Sequence, residues 1–529
     1  MAYYRDLREQ LKALDDAGLL VRIDAPINKD TELMPLVRWQ FRGLAEEERR
    51  AFLFTNVIDV KGKKYDIPVA VGCLAASRQV YAVGLQCKPE EIVGRWTQAE
   101  ANLIPPVVVE SGPVHEEVHV GPALTEKGGL GEFPIPISTP GFDSAPYTTA
   151  SHWFTKDPET GKINIGNYRG QIKSPTRTGV YIHSSNHGGY HWKKCRERGM
   201  PLPAALVIGA PPAVAYTAPA RVPLSVSELD VAGGIAGRPV EVVRCKTIDM
   251  VVPAYAEIVI EGEISTEYIE PEAPFGEAPG YVGEKLLNPY FEIKCITHRK
   301  NPIFAAIVSQ FPPSESSKMK QLSAEGNYLR FLKEQCNIPG ILEVVFHEIA
   351  VRQICVIRMK KNNAAHVWQA LHSMVGYHPA TGKFVVAVDE DINARDADSL
   401  FWALAFRMQP HRDMLVVRNR TPSMDPSAAP PGKELEVSMH EAADCSCLLI
   451  DATRKWDYPP VSLPKREFME RAKQLWERLE LPQLRPQEPW FGYELGSWSD
   501  EDEEEARLAL KGEHYRTGEK AVTKRVRVK

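Results

Sequence analysis

Apolar positions repeat with a helical period in the first part of the chain. They recur every three or four residues up to Gly18, which predicts a helix there, and residues 19–23 follow as a short strand. A second helix is expected after Asp30. Pro35 is compatible with it, because proline is tolerated in the first turns of a helix. The N-terminal part of the chain is therefore predicted to be an α/β region.

The middle of the chain carries short apolar runs in place of helical repeats. A stretch rich in Pro and Gly, residues 105–148, comes first and breaks regular structure, so a connector or a wrapping loop is expected there. Four β-like runs follow, at residues 205–208, 240–243, 256–260 and 303–308. This pattern predicts a sheet-rich, barrel-like block.

A helix and a second α/β region are predicted beyond that block. Residues 322–334 mix polar and apolar positions as a helix does, residues 383–388 form the apolar run of a buried strand, and residues 400–406 are helical in pattern. The expected fold class is a multidomain α/β (α+β) chain. Its expected regions are an N-terminal α/β region (1–125), a central barrel-like domain (126–320), a connecting helix (321–340), a C-terminal α/β domain (341–490) and a charged, solvated extension (491–529).

Composition and charge exclude several classes of function. The 529 residues are 43% hydrophobic and 25% charged, as in ordinary globular proteins, and no apolar run reaches the roughly 20 residues that cross a bilayer. The chain start lacks the apolar core of a signal peptide, so a cytoplasmic protein without a membrane partner is expected. A net charge of -5 gives no electrostatic basis for binding nucleic acid. Nine cysteines without a C-x-x-C pair predict neither a disulfide framework nor a structural zinc site.

The first concentration of polar residues suited to chemistry lies at residues 164–171. Asn164, Asn167, Arg169 and Gln171 stand close together in that segment. An arginine so placed is able to clamp a carboxylate with two parallel hydrogen bonds. Surface turns are also rich in Asn and Gly, so the pattern alone leaves an ordinary turn as the alternative.

Three histidines, His183, His187 and His191, recur every four residues. A continuous helix would align their imidazoles, but the two glycines after His187 are expected to interrupt it, which disfavours a three-histidine metal site. One metal ligand and two ordinary polar histidines are the better interpretation. Glu228 is an exposed carboxylate by default, yet with an amide oxygen and an imidazole it would complete a mixed set that suits Mn²⁺ or Fe²⁺.

The sharpest element is the acidic segment at residues 270–281. Glu272 and Glu277 lie five residues apart in it, among three prolines that stiffen the backbone and two glycines that permit sharp bends. Acid catalysis needs such a stiff backbone, because misplacing a proton donor by about 1 Å costs on the order of 100-fold in rate. A Pro-rich surface loop is the alternative interpretation.

These segments, in this order, resemble the UbiD family of reversible decarboxylases. Residues 164–171 resemble its metal and arginine segment, residues 252–263 the strand before its acidic loop, and residues 272–281 the acidic loop itself. Residues 388–393, the Trp402-Ala403 helix and residues 451–456 resemble its C-terminal domain. The resemblance spans roughly residues 5–460, and several ordered motifs are more specific than any single one.

The resemblance implies a role for each candidate residue. The residues implied to be catalytic are Arg169, Glu272 and Glu277. The residues implied to hold a divalent metal are Asn164, His187 and Glu228. Around His187 the sequence departs from the commoner family form, so His183 and His191 are alternative histidine ligands. The residues expected to contact the cofactor are the three metal ligands, Arg169, Gln171 and Lys383.

The resemblance also implies the cofactors. The family uses prenylated FMN, whose added ring makes it an electron sink, with a divalent metal, Mn²⁺ or Fe²⁺, between the flavin phosphate and the protein, and often K⁺. The central domain is then expected to be a split β-barrel that binds both groups, and the C-terminal domain to serve oligomerisation and closure. The substrate would bond to the flavin before CO₂ leaves, Glu277 would protonate the same carbon, and Glu272 would pair with Arg169.

The implied substrate is an aromatic or α,β-unsaturated acid, or a CoA thioester such as phthaloyl-CoA, and both directions of the reaction are open. The expected partners are a flavin prenyltransferase of the UbiX type and further copies of this chain, in a dimer or hexamer. Two alternatives remain in the same family: a subunit of a multi-subunit aryl carboxylase of the phenylphosphate type, and a non-catalytic flavin-binding subunit. A metal hydrolase built on the three histidines is disfavoured by the glycines between them.

Overall fold

The structure is a computed structural model of the chain. It describes residues 2–182, 186–220, 222–223, 225–309, 311–421, 425–428, 445–484 and 496–527. His183, one of the alternative metal ligands, lies outside these residues. Among the described residues, no helix has the length and apolar character needed to span a membrane.

The N-terminal region is α/β, as predicted. Its elements are α1 (Leu7–Asp16), β1 (Leu20–Ile23), β2 (Ile27–Asn28), α2 (Leu33–Gly43), β3 (Ala51–Phe54), β4 (Val57–Ile58), β5 (Lys64–Tyr65), β6 (Val69–Val71), α3 (Arg78–Leu85) and α4 (Ile92–Ala101). The first helix begins at Asp6, whose carboxylate accepts a hydrogen bond from Glu9 N. The predicted first helix and first strand are confirmed, and so is the second helix with Pro35 in its first turn.

The central region is a curled sheet with helices packed against it. Its elements are β7 (Val107–Val108), β8 (Glu117–Val120), α5 (Pro122–Glu126), β9 (Tyr147–Thr148), β10 (His152–Lys156), β11 (Ile163–Asn167), β12 (Gly170–Ser174), β13 (Arg177–Gly179), α6 (His187–Glu197), β14 (Leu202–Ile208), α7 (Pro212–Thr217), α8 (Glu228–Ala236), β15 (Glu241–Arg244), β16 (Val251–Pro253), β17 (Ile258–Glu272), β18 (Leu286–His298) and β19 (Phe304–Ala306). Nine strands form the main sheet in the order β11-β10-β14-β17-β18-β13-β12-β9, and β8 pairs with β18. The expected barrel-like central sheet is confirmed.

The long hairpin of β17 and β18 is the backbone of this sheet. It pairs Ile258 with His298 at one end and Glu272 with Leu286 at the other, so the acidic loop is the tip of the hairpin. A single hydrophobic core joins the N-terminal and central regions, and β19 returns to the N-terminal sheet, parallel to β6. The acidic loop therefore projects from a hairpin whose strands contribute side chains to this shared core.

A buried helix leads into the C-terminal region. The elements are α9 (Glu315–Arg330), β20 (Ile341–Phe346), β21 (Ile354–Met359), α10 (Ala364–Tyr377), β22 (Phe384–Asp389), α11 (Ala397–Phe406), α12 (Pro410–Asp413), β23 (Met414–Arg420), β24 (Cys445–Ala452), α13 (Arg466–Arg478), α14 (Asp500–Leu510) and α15 (Tyr515–Thr523). The connecting helix begins earlier than predicted, because Ser314 caps it by accepting from Ser317 N in a polar stretch that has the composition of a loop.

The C-terminal sheet has the order β20-β21-β22-β24-β23, with β21, β22 and β24 parallel. Two separate hydrophobic cores include its residues, as expected when both faces of a parallel sheet are covered. The predicted strand and helix of this region are confirmed as β22 and α11. The described part of the charged extension, residues 496–527, contains α14 and α15, and Glu501 in α14 pairs with Lys520 and Lys524.

Glu315 connects α9 to the N-terminal sheet. Its carboxylate is fully buried and accepts four backbone N–H bonds, from Gly72 and Val308 on one oxygen and from Leu74 and Ala75 on the other. Burial raises the pKa of this carboxyl to about 7, while the four N–H donors favour its ionised form. Each oxygen faces two donors, so this position requires a carboxylate.

We predict that Glu315→Gln lowers the free energy of unfolding by about 2–3 kcal/mol, the range for a buried hydrogen bond to a charged group. The amide NH₂ would face two N–H donors in place of an acceptor. Urea denaturation of the two proteins measures the difference. Glu467→Gln, an exposed position in the first turn of α13, is the matched control, and an equal urea midpoint for all three proteins would contradict the prediction.

Candidate active site

The guanidinium of Arg169 lies at the centre of the candidate site. Arg169 stands in the turn between β11 and β12, and its Nε and Nη2 donate to the two oxygens of Glu272 at 2.9 and 2.6 Å. Asn288 Nδ2 also donates to Glu272, at 3.3 Å. Burial alone would lower the pKa of Arg169, but the charge of Glu272 more than offsets it and the pKa is raised. The pair is therefore a buried, bidentate ion pair.

Glu277 reaches the same guanidinium from the acidic loop. Its Oε1 contacts Nη1 of Arg169, so one arginine serves two carboxylates. The loop is held by Glu277 N, which donates to Tyr281 O at 2.8 Å, and by Gly276 N, which donates to Asp143 Oδ1 at 3.3 Å. The Glu272 side chain is fully buried, whereas that of Glu277 is 15% exposed. Glu277 is thus the carboxylate that solvent and a substrate reach more easily.

Aromatic rings surround this cluster. The Arg169 guanidinium lies 4.4 Å from the ring centroid of Tyr181 and 5.1 Å from that of Phe275. The ring of Tyr147 packs against Phe275 at 4.5 Å, and its hydroxyl donates to Pro274 O. Cation–π contacts of this kind stabilise a desolvated guanidinium. They also give the cluster flat, apolar walls.

Two of the three predicted metal ligands, His187 and Glu228, lie together at the N-terminal ends of two helices, and the third, Asn164, lies on β11. Glu228 is the first residue of α8, is 2% exposed, and accepts from Ile165 N at 3.0 Å, next to Asn164 on β11. His187 is the first residue of α6, and its Nδ1 lies 4.0 Å from Glu228 Oε1. Asn164 Nδ2 lies 3.5 Å from Thr155 Oγ1 on the neighbouring strand.

The buried carboxylate of Glu228 fits a bound cation. Burial raises its pKa to about 8, and among the described residues no lysine or arginine nitrogen lies within 4.0 Å of it. An amide oxygen, an imidazole and a carboxylate form a donor set that suits Mn²⁺ or Fe²⁺. The N-terminal ends of α6 and α8 add backbone N–H groups that favour an anion such as a phosphate beside that cation.

The two glycines after His187 do not interrupt a helix, and this expectation was wrong. They form the first turn of α6, where Asn186 accepts from Gly189 N at 2.8 Å and replaces the missing helical partner. His187 and His191 are therefore one turn apart on a single helix. His191 is buried, and its Nδ1 lies 3.0 Å from Thr155 Oγ1, so its ring already has a polar partner.

The other predicted cofactor contacts have different surroundings. Gln171 Nε2 donates to Ser144 Oγ at 2.7 Å, and Ser144 in turn donates to Ala273 O beside the acidic loop. Lys383 Nζ donates to Asp425 at 2.6 Å within the C-terminal region. Among the described residues, no hydrogen bond or ion pair joins Lys383 to the Arg169 cluster.

Sequence reasoning missed three residues that support the site. Asn288 and Asp143, which bond to Glu272 and to the acidic loop, lie far from the motifs and carry no local signal. Tyr168 lies inside the arginine segment, but the sequence pattern did not identify it as a site residue. Its hydroxyl accepts from Gly188 N at 3.3 Å, and a Cβ at Gly188 would lie 2.9 Å from it. This glycine is therefore what allows α6 to approach Tyr168.

A buried arginine shared by two carboxylates, beside a mixed metal donor set on a curled sheet, defines a site suited to acting on a carboxylic acid. Models of the 3-octaprenyl-4-hydroxybenzoate carboxy-lyase family match three parts of the chain. The N-terminal domain model covers residues 11–100, the Rift-related domain model 107–312 and the C-terminal domain model 319–452. The chain therefore belongs to the UbiD family, a family of carboxy-lyases.

Solved structures of UbiD-class enzymes have the same fold. An evolved dimeric form of HmfF from Pelotomaculum thermopropionicum, in complex with prFMN, is 28% identical, with a TM-score of 0.75 over 89% of this chain and 100% of that one. The closed form of vanillic acid decarboxylase from Sedimentibacter hydroxybenzoicus is 25% identical, with a TM-score of 0.78 over 90% and 99%. An uncharacterised protein from Archaeoglobus fulgidus is 29% identical, over 90% of this chain and 98% of its own.

We predict that His187→Ala lowers the affinity for Mn²⁺ by more than about 100-fold, because removing a ligand costs more than removing the group that orients one. Titration of the protein with Mn²⁺, followed by electron paramagnetic resonance of the free ion, measures the affinity without any flavin. His191→Ala is the matched variant on the same helix and should bind Mn²⁺ as the wild type does. Loss of binding in His191→Ala alone would show that the histidine assignment is wrong.

Proposed function

We propose that this chain catalyses the reversible, non-oxidative decarboxylation of an aromatic or α,β-unsaturated carboxylic acid with prenylated FMN as cofactor. The observation that carries the proposal is the Arg169 guanidinium shared by Glu272 and Glu277. Membership of the UbiD family supports it, and so does the prFMN complex of a structural relative that covers 89% of the chain.

The cofactor would be held mainly by the residues at the ends of α6 and α8. Asn164, His187 and Glu228 would bind Mn²⁺ or Fe²⁺, and the ion with the two helix N-terminal ends would hold the flavin phosphate. K⁺ is proposed as a further ion near this site. Arg169 and Gln171 would lie along the flavin. Lys383 would contribute a phosphate or closure contact only by leaving Asp425, its present partner.

When bound, the prenylated flavin supplies the electron sink for the electron pair that CO₂ leaves behind. The protein must then orient the substrate carboxylate and manage one proton. Arg169 has N–H groups suited to a carboxylate, and Glu272 fixes their direction through the bidentate pair. The aromatic walls of Tyr181 and Phe275 suit a flat substrate and keep water away from the reacting carbon.

Glu277 is the residue we propose as proton donor. With both carboxylates ionised, the three side chains carry one net negative charge, so a substrate anion enters more easily if a proton is taken up with it. Glu277 is the more exposed of the two carboxylates and stands on a loop, so it can hold this proton and deliver it to the substrate carbon after CO₂ leaves. Glu272, fixed by Arg169 and Asn288, would set the geometry of the guanidinium.

The apolar ring surfaces favour an aromatic substrate. This substrate would be an aromatic acid or its CoA thioester, such as phthaloyl-CoA. Reaction partners would be a flavin prenyltransferase of the UbiX type and further copies of the chain in a dimer or hexamer, in the cytoplasm. A subunit of a phenylphosphate-type carboxylase, or a flavin-binding subunit without activity, is the second candidate. The shared Arg169 cluster disfavours the inactive subunit, because binding a flavin needs no second carboxylate.

We predict that Glu277→Gln lowers kcat by at least about 100-fold, the usual contribution of a general acid. The amide preserves the shape of the side chain and its reach to Arg169 but has no acidic proton. Steady-state release of CO₂ from the wild type and the variant, each produced with a flavin prenyltransferase, measures the effect, and the flavin absorbance of both shows that the cofactor is bound.

Glu284→Gln, an exposed position in the same loop, is the control and should retain wild-type turnover. A kcat for Glu277→Gln close to that of the control would remove Glu277 as proton donor. Loss of flavin absorbance in Glu277→Gln would assign this residue to cofactor binding in place of proton transfer.

A further inference from the structure

A second cluster of possible metal ligands shares no residue with the candidate active site. His119 lies on β8, His298 is the last residue of β18, and Glu132 ends the short turn Gly129–Glu132. Because β8 pairs with β18, the two imidazole rings stand on neighbouring strands, with their centroids 5.0 Å apart. One ligand atom from each of the three side chains lies within 4.8 Å of the other two.

The spacing of the ligand atoms fits a single ion. Glu132 Oε2 lies 3.3 Å from His119 Nδ1, and Glu132 Oε1 lies 3.5 Å from His298 Nε2. Two ligands bound tetrahedrally to Zn²⁺, each at about 2.1 Å, stand about 3.4 Å apart. Each histidine thus stands from Glu132 at the separation that one ion would impose, and the two histidine ligand atoms lie within 4.8 Å of each other.

Hydrogen bonding fixes which nitrogen of His298 faces the cluster. Its Nδ1 lies 2.8 Å from Arg299 O, and a carbonyl oxygen only accepts, so Nδ1 carries the hydrogen. In the neutral ring, Nε2 then presents a lone pair to Glu132. A backbone carbonyl that orients a histidine in this way is the usual second partner of a metal ligand.

The facing atoms are buried and lack hydrogen bonds. Within the described part of the chain, His119 Nδ1, Glu132 Oε2 and His298 Nε2 have no hydrogen-bond partner, and the two histidines are only 4% and 5% exposed. Among the described residues, no lysine or arginine nitrogen lies within 4.0 Å of Glu132. A metal ion that accepts lone pairs would satisfy all three of these atoms at once.

We propose that His119 Nδ1, His298 Nε2 and the carboxylate of Glu132 bind one divalent first-row transition-metal ion, of which Zn²⁺ is the probe. Two imidazoles and a carboxylate suit such an ion, and water would complete its coordination. The ion is structural, because it ties Glu132 to the end of the β17–β18 hairpin opposite the acidic loop. Asp143, which accepts a hydrogen bond from Gly276 N in the acidic loop, lies in the connector that begins at Glu132. The ion would therefore anchor both the hairpin that ends in the loop and the connector that contacts it.

The test uses the full chain with Glu228→Gln, which removes a ligand from the other candidate metal site. Zn²⁺ is added to the metal-free protein, and bound zinc and Tm are measured. The protein should bind one equivalent of Zn²⁺ with a rise in Tm. Adding Glu132→Gln, a nearly isosteric change, should lower the Zn²⁺ affinity by more than about 100-fold. Adding His411→Gln, an exposed histidine, should change nothing.

Equal Zn²⁺ binding with and without Glu132→Gln would overturn the proposal. No rise in the Tm of the Glu228→Gln protein would also overturn it, and would indicate a protonated imidazole beside Glu132 in place of a metal. If Glu132→Gln does not fold, the visible absorption of Co²⁺ added to the Glu228→Gln protein decides. Ligand-field bands of a low-coordinate site support the proposal, and the spectrum of hydrated Co²⁺ contradicts it. None of these readouts depends on decarboxylase activity.

Discussion

The bidentate pair between Arg169 and Glu272 is the interaction on which the candidate site depends. It joins the turn after β11 to the end of β17, so this turn and the base of the acidic loop cannot move independently. Both groups are buried, and removing one partner of such a pair typically costs about 3–5 kcal/mol, because the other charge is left without compensation. The Arg169–Glu272 pair is therefore the fixed part of the site, and Glu277 is its more exposed partner.

The same physical constraint recurs wherever this chain buries a charge. Glu315 is satisfied by four backbone N–H groups, and Glu257 by Arg8, Arg299 and Ile303 N. Glu228 and Glu132 have fewer donors: Glu228 accepts from Ile165 N, and among the described residues the buried Oε2 of Glu132 accepts no hydrogen bond. Buried carboxylates are rarely left in that condition unless a cation accompanies them. This contrast separates structural carboxylates from those suited to hold ions.

Sequence patterns predicted the α/β ends and the curled central sheet, because each is encoded locally by its period. The residues of the Arg169 cluster followed from the resemblance to the UbiD family, because their motifs alone also fit surface turns. The start of α9 was missed because polar residues at a helix cap have the composition of a loop. An interruption of α6 at its two glycines was predicted wrongly, because glycine lowers helix stability little in a first turn that Asn186 caps. The contacts of Asn288 and Asp143 join segments that are separated along the chain, and no local sequence pattern predicts them. The same holds for the cluster of His119, Glu132 and His298.

The central claim is that this chain alone, with its flavin, breaks and forms a carbon–carboxyl bond at Arg169. The direct measurement is the exchange of ¹³C-labelled CO₂ into the carboxyl group of aromatic and α,β-unsaturated acids, catalysed by the purified chain carrying prenylated FMN. The account predicts exchange with at least one such acid, and its loss in Arg169→Lys, which cannot form the bidentate pair. Absence of exchange across a broad set of acids, with the flavin bound, or full exchange in Arg169→Lys, would contradict it.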